Sequence, residues 1–131
     1  MQIVKPIDIA DALRRDVGAM LDGVLCCAQP APDDLRADTV CFSIRGGSEQ
    51  TAVATEYGVA VDCWAGTFAE AIDLANTVYY AIQRLALYGG DHAVYTTVRG
   101  NAPYPNPDPL RPTLPRATFN VQVGARGTSE N

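Results

Sequence analysis

Residues 57–70 read Tyr57-Gly58-Val59-Ala60-Val61-Asp62-Cys63-Trp64-Ala65-Gly66-Thr67-Phe68-Ala69-Glu70, and they predict a strand followed at once by a helix. Apolar side chains alternate through the first nine residues, as in a strand with one buried face. Gly66 interrupts the alternation. Thr67 and Glu70 then have the spacing of a capping box, in which a hydroxyl and a carboxylate accept backbone N–H groups at a helix start. The rest of the chain is expected to pack on this strand–helix unit.

The helix that begins after Thr67 is predicted to run until Gly89-Gly90, where glycine permits a left-handed stop. Its apolar residues recur at helical period and form one stripe. The stripe comprises Phe68, Ala71, Ile72, Ala75, Val78, Tyr79, Ile82, Leu85 and Ala86. Tyr80 lies near the edge of this stripe, so it is available for contact with a partner.

Length and charge exclude several classes of protein. The 131 residues predict a single domain, residues 1–131, and 47% apolar residues are enough for a real core. The net charge of -5 argues against tight or sequence-specific nucleic-acid binding, which needs a basic surface. No stretch reaches the roughly 18 apolar residues of a membrane span. The first residues lack the apolar core of a secretory signal, so we expect the chain to stay in the cytoplasm of the cell that makes it.

The remaining elements follow from periodicity and turn residues. Residues 8–22 predict a first helix capped by Asp8, and residues 24–28 are either a buried linker or a short strand. Strands are predicted at residues 39–45, 57–65, 93–99 and 116–125, with a polar turn at 46–51. Between the last two strands, residues 101–115 contain six prolines and form an arm that is neither helix nor inner strand. Residues 126–131 are a polar, flexible tail.

The order helix, strand, strand, helix, strand, strand predicts an α+β fold. A four-stranded, mainly antiparallel sheet would carry both helices on one face. If the fourth strand inserts between the second and third, the order is 1-2-4-3; the alternative is 1-2-3-4, and the long arm favours the first. The open face of the sheet would then carry Arg45, Asp62, Trp64, Tyr95, Thr97, Arg99, Thr118, Asn120 and Gln122.

No motif for nucleotide binding, nucleophilic catalysis or metal binding occurs in the sequence. Cys41 is expected to point away from the core and Cys63 into it, so the two cannot form a disulfide. The four cysteines are interpreted as structural free thiols. We predict no enzyme activity, no catalytic or metal-binding residues and no cofactor. The alternative is a small ligand-binding or enzymatic domain that uses His92, with Asp91 beside it, and Cys63.

Two features are unusual for a free monomer, namely Trp64 on the open face beside Tyr95, and the proline-rich arm. Trp, Tyr and Arg are enriched at interfaces, and prolines reduce the entropy lost when a segment docks. We therefore expect the arm to pack on an adjacent subunit or on another partner and not on its own core. The predicted interface residues are Trp64, Tyr95, Arg99, Tyr104, Leu110, Arg111, Leu114 and Arg116.

The chain resembles the small tail-terminator, or tail-completion, proteins of long-tailed bacteriophages over roughly residues 1–125. The resemblance rests on the length, the element order and the unit Val-Ala-Val-Asp-Cys-Trp-Ala-Gly-Thr-Phe-Ala-Glu-Ala at 59–71. It also includes the proline-rich arm before the last strand, Arg-Ala-Thr-Phe-Asn-Val-Gln-Val at 116–123.

This resemblance implies a structural protein of the virion with no catalytic residues. Members of the family form a ring, usually a homohexamer, that caps the tail tube and offers a face to the head-side connector. The implied partners are therefore further copies of the chain, the tail tube protein and a head-completion or connector protein. DNA would pass through the ring, and an acidic surface would not hold it. Another neck or minor tail protein of the same junction is the alternative within this class.

Overall fold

The structure, a computed structural model, describes residues 3–50 and 54–130 and contains two helices among eight strands. The strands of the first half are β1 (Ile3–Lys5), β2 (Leu25–Ala28), β3 (Thr39–Gln50) and β4 (Ala54–Trp64). Those of the second half are β5 (Tyr95–Gly100), β6 (Tyr104–Pro105), β7 (Arg116–Arg126) and β8 (Thr128–Glu130). The helices are α1 (Ile9–Met20) and α2 (Phe68–Tyr88).

The main sheet has the order β2-β3-β4-β7-β5, and β6 pairs with β7 beyond the end of β5. The four strands predicted from the sequence are therefore in the predicted order 1-2-4-3, and they are antiparallel to one another. The prediction of four antiparallel strands is nevertheless incomplete. β2 adds to the edge parallel to β3, with Leu25 opposite Thr39, so the six-stranded sheet is mixed.

Both helices cover one face of the sheet. Side chains from α1, α2 and alternate positions of β3, β4 and β7 form a single core, whose largest fully buried members are Phe42 and Phe119. Tyr79 of α2 stacks on Phe119 with ring centroids 5.2 Å apart. This arrangement confirms the buried faces predicted for β3, β4 and β7 and most of the apolar stripe of α2, although Phe68 at the start of the stripe is 40% exposed.

The predicted start and end of α2 are confirmed, whereas α1 ends at Met20, two residues before the predicted end. The capping box of α2 differs in one bond, because the Glu70 carboxylate accepts from a hydroxyl where a backbone N–H was predicted. The N–H of Glu70 donates to the Thr67 hydroxyl at 3.1 Å, and that hydroxyl donates to the Glu70 carboxylate at the same distance. At the other end, the N–H of Gly89 donates to the Leu85 carbonyl. Gly89 has a φ of 87°, a backbone conformation that favours glycine. Asp8 caps α1 by accepting from the N–H of Asp11 at 3.2 Å.

The interpretation of Tyr95 as an open-face residue is wrong. A bulge between Tyr95 and Thr97 shifts the pairing of β5 with β7 by one residue. Because side chains alternate along a strand, one extra residue moves Tyr95 to the helix-covered face together with Val98. Val94, which the sequence pattern assigned to the core, is 59% exposed.

Other differences lie at the ends of elements. β3 continues to Gln50 through the predicted turn, and the last part of that turn, residue 51, lies outside the described residues. β1 and β8 form a separate antiparallel pair that the sequence did not predict, although residues 126–131 were expected to be a flexible tail. Residues 24–28 include a strand, which decides between the two interpretations given for them.

Candidate functional site

The face of the sheet opposite the helices is divided into a raised half and a hollow half. The raised half covers Asp62 and Trp64 of β4 and is built from residues 29–38 and 106–115, which together we call the ridge. The hollow half lies over Gly58 of β4. Gly58 is four residues, or about 13 Å, from Asp62 along the strand. This division is the main feature of the exposed surface that the strand order creates.

Trp64 anchors the ridge to the sheet. Its side chain is 2% exposed, and its indole N–H donates to the Asp108 carboxylate at 3.2 Å. The guanidinium groups of Arg111 and Arg116 lie 5.9 and 6.0 Å from the indole ring, within cation–π distance. Residues 106–115 therefore pack on Trp64 of the same chain. The expectation that the arm packs on a partner and not on its own core is wrong for this segment.

Asp108 holds the ridge together as a buried carboxylate. It accepts hydrogen bonds from the N–H of Leu110 at 3.0 Å and from Arg111 at 3.1 Å, in addition to the one from Trp64. Burial alone would raise the pKa of Asp108. The hydrogen bonds from Leu110, Arg111 and Trp64 outweigh burial and hold the pKa below its ordinary value. The carboxylate is therefore ionised at neutral pH and accepts hydrogen bonds from Trp64, Leu110 and Arg111. Its role is to hold the ridge together.

Arg111 joins the two segments of the ridge, because it also donates to the Pro32 carbonyl at 3.0 Å. Arg116 donates to the carbonyl of Asn106 at 2.7 Å, and Asn106 donates through its side chain to Thr118. Arg111 of the ridge and Arg116 beside it thus direct their charge inward. The exposed charge of residues 29–38 comes from three aspartates, Asp33, Asp34 and Asp38, and one arginine, Arg36.

The hollow half is a groove of about 640 Å³. It is lined by the side chains of Arg45, Arg99, Asn101, Asn120 and Gln122, with Gly58 in its floor. Arg99 is 75% exposed and donates to Glu56 at 3.2 Å. Arg45 is exposed and has no ion pair with any residue in the described ranges. The groove is therefore a hollow lined by amides and two arginines in an acidic molecule.

A second exposed surface lies at the end of α2 beside β5, and we call it the lateral patch. It comprises Tyr80, Arg84, Leu87 and Tyr88, and the last two are 75% and 73% exposed. Arg84 lies 4.7 Å from the Tyr88 ring centroid and donates to the Tyr80 hydroxyl at 3.1 Å. In the described part of the chain, β5 pairs only with β7, so its other edge is unpaired. This unpaired edge lies beside the patch. Tyr80 is 58% exposed, as its position at the edge of the stripe indicated.

The predicted interface residues are not brought together as a single surface. Trp64 and Tyr95 lie at opposite ends of β7, opposite Arg116 and Ala125 respectively, and both are buried. Arg111, Leu114 and Arg116 are half-buried within the ridge. Arg99, Tyr104 and Leu110 are exposed, Leu110 by 84%, and remain available to a partner.

Tyr95 belongs instead to a buried cluster centred on Asp16 of α1. Asp16 accepts from the Tyr95 hydroxyl at 2.7 Å and contacts His92 Nδ1 at 2.6 Å. The backbone N–H groups of Asp91 and His92 also donate to it. Burial raises the pKa of Asp16, but the bonds from Tyr95 and His92 outweigh it and lower the pKa overall. The sequence could not indicate this cluster, because Asp16 is 76 residues from His92.

The pair of residues proposed for an enzymatic alternative is not assembled. His92 contacts Asp16 and not its neighbour Asp91, whereas Cys63 is fully buried on the core face of β4. Burial raises the pKa of the Cys63 thiol, which makes it a poor nucleophile. The four cysteines are free, and Cys63 faces the core while Cys41 lies opposite Cys27.

Within the described residues, no group of His, Cys, Asp and Glu side chains is arranged to hold a metal ion. The helices of the same part of the chain include none that is long and apolar enough to cross a membrane. Comparison with models of known protein families finds no match, and comparison with curated proteins finds none either. The groove, the ridge and the lateral patch are therefore the features on which a functional interpretation depends.

Proposed function

We propose that this protein is a structural component of a bacteriophage virion, a tail terminator. In this proposal, six copies form a ring that closes the tail tube and joins the tail to the head-side connector. The protein has no enzymatic activity or cofactor in this role. The proposal rests on the resemblance of the sequence pattern and on exposed surfaces that suit repeated contacts between subunits.

The observation that carries the proposal is the lateral patch beside the unpaired edge of β5. Tyr and Arg are the residue types that contribute most to binding at protein interfaces, and Leu87 adds exposed apolar area. An unpaired strand edge next to such a patch is prone to association in a monomer. A subunit that packs side by side with its neighbours would cover both features.

Charge is consistent with the same role. The net charge of -5 makes the surface repel phosphate on average, which suits a ring that DNA must traverse without being bound. Arg111 and Arg116 are engaged by Asp108, so they do not offer a phosphate site.

The test is the mass and the activity of the purified protein. Light scattering should give a species of six times the 14.0 kDa of one chain, and electron microscopy should show rings. When the tail tube protein of the same virus is polymerised, added rings should cap tube ends and stop elongation. Leu87→Asp should shift the mass toward that of the monomer and abolish capping, because a charge would enter the contact.

The matched control is Phe68→Asp, since Phe68 is 40% exposed at the opposite end of α2. This variant should assemble and cap tubes like the unmodified protein. A protein that stays monomeric at all concentrations would contradict the proposal. Rings that bind the connector but leave tube growth unchanged would favour the alternative, another neck protein of the same junction.

A further inference from the structure

The groove and the ridge carry opposite charge on the same face of the sheet. The groove is a hollow with two exposed arginines, and the ridge is a raised loop whose exposed side chains include Asp33 and Asp34. Both lie on the same face of one sheet, since the groove covers Gly58 and the ridge covers Asp62 and Trp64 of the same strand. A molecule turned over by a two-fold rotation would therefore present its ridge to the groove and its groove to the ridge.

We propose that the open face is a self-recognition site, in which the acidic loop at 29–38 of a second copy occupies the groove. Two copies then pair face to face and make the same contact twice. Carboxylates of Asp33 and Asp34 would meet Arg45 and Arg99, whose planar guanidinium groups suit bidentate carboxylate binding. The amides of Asn120 and Gln122 would supply further hydrogen bonds along the groove floor.

The local charges favour this occupant over an anionic nucleic acid. Glu56 already accepts one hydrogen bond from Arg99, so the groove carries little more than one net positive charge. The loop at 29–38, with three aspartates and one arginine, supplies a small charge of opposite sign, whereas nucleic-acid binding requires a much larger basic surface. Arg99 retains free donors because a guanidinium has five N–H groups and the contact with Glu56 uses one.

The available area is sufficient for a pair. The three long strands β3, β4 and β7 span about 14 Å by about 36 Å, or about 500 Å² of projected face per copy. A pair would hide about 1,000 Å² in total, which is the lower bound for a specific interface. The lateral patch stays outside this contact, so pairing goes beyond the proposed ring and is independent of it.

The experiment uses two charge-reversal variants, Arg45→Glu with Arg99→Glu, and Asp33→Lys with Asp34→Lys. Each alone places like charges in both contacts of a pair. In sedimentation velocity at low salt, each should raise the concentration needed for pairing by at least about tenfold. An equimolar mixture of the two should pair again, because each groove then meets a loop of opposite charge. The pairing of the unmodified protein should also weaken as salt is raised.

Because Arg99→Glu would also place a like charge beside Glu56, Arg45→Glu alone serves as a second groove variant, and thermal melting checks that all variants fold. The control is Asp73→Arg, a charge reversal on the exposed face of α2, which should pair normally. Unchanged pairing in the reversal variants, or a mixture that fails to pair, would overturn the proposal.

Leu87→Asp separates the two assemblies, since it should remove rings while face-to-face pairs of twice 14.0 kDa persist. If the protein forms rings but no face-to-face pairs, only the self-recognition proposal is overturned. If it forms pairs but no rings, only the proposed function is overturned.

Discussion

At the scale of single residues, two buried carboxylates tie distant parts of the chain together. Asp16 and Asp108 are each 4% exposed, and each accepts several hydrogen bonds. Asp108 fixes the ridge to Trp64, and Asp16 fixes the turn after α2 to α1. A buried carboxylate that is fully hydrogen-bonded is tolerated, but loss of its charge leaves buried donors without an adequate acceptor.

Asp108→Asn is expected to lower the free energy of unfolding by about 1–3 kcal/mol, since Arg111 and Trp64 lose a charged acceptor in a buried site. The measurement is urea unfolding at neutral pH. Asp33→Asn is the matched control, because it removes an exposed carboxylate from the same ridge and should change stability by less than about 0.5 kcal/mol. Equal effects of the two variants would mean that Asp108 does not hold the ridge.

At the scale of elements, α2 is the helix whose limits are set by local sequence. Thr67 and Glu70 exchange hydrogen bonds at its start, and Gly89 ends it in a conformation that disfavours other residues. The helix then presents one face to the core and leaves the lateral patch exposed at its last turns. The position of the patch therefore depends on where this helix begins and ends.

Thr67→Ala should destabilise the protein by about 1 kcal/mol, which is typical for the loss of an N-cap hydroxyl. Thr77→Ala is the control, because Thr77 is exposed in the middle of the same helix and donates only to the Asp73 carbonyl. Thermal unfolding of the two variants should show a clear decrease in stability for the first and little change for the second. A larger effect at Thr77 would contradict the role of the cap.

The elements that could be predicted are those whose signals are local. Periodicity identified α2, the four predicted strands and the buried faces of β3, β4 and β7, and the crossover argument supplied the strand order. The bulge in β5 was missed because no turn residue marks it, and Tyr95 was assigned to the wrong face as a result. The contact of Trp64 with Asp108 spans 44 residues, so it left no pattern in the sequence that could reveal the ridge.

At the scale of the whole molecule, the two carboxylates make stability depend on acid. The pKa values of Asp16 and Asp108 in the native protein lie below the ordinary value of 3.8 that describes the unfolded chain. The unfolded state therefore binds more protons than the native state near and below that value, and stability rises with pH there. The contribution is complete above 3.8 and is lost as the pH falls through the lower native values.

Urea midpoints should accordingly be nearly constant from neutral pH to about pH 5 and fall increasingly below about pH 4. Asp108→Asn should show a shallower fall than the unmodified protein, because it removes one of the two buried carboxyl groups whose pKa is lowered. Asp33→Asn should keep the original slope. A slope unaffected by Asp108→Asn would show that other groups govern the acid response.

The strand order also has a consequence for synthesis. β7 lies between β4 and β5, yet it is made after both, so an interior strand of the sheet is the last of its strands to be synthesised. Until residues 116–126 emerge, β5 has no strand to pair with and one edge of β4 stays uncovered. A nascent chain stopped before Arg116 thus holds two halves of a sheet without the strand that joins them. Completion of this sheet, and with it the ability to assemble, therefore waits for the synthesis of residues 116–126.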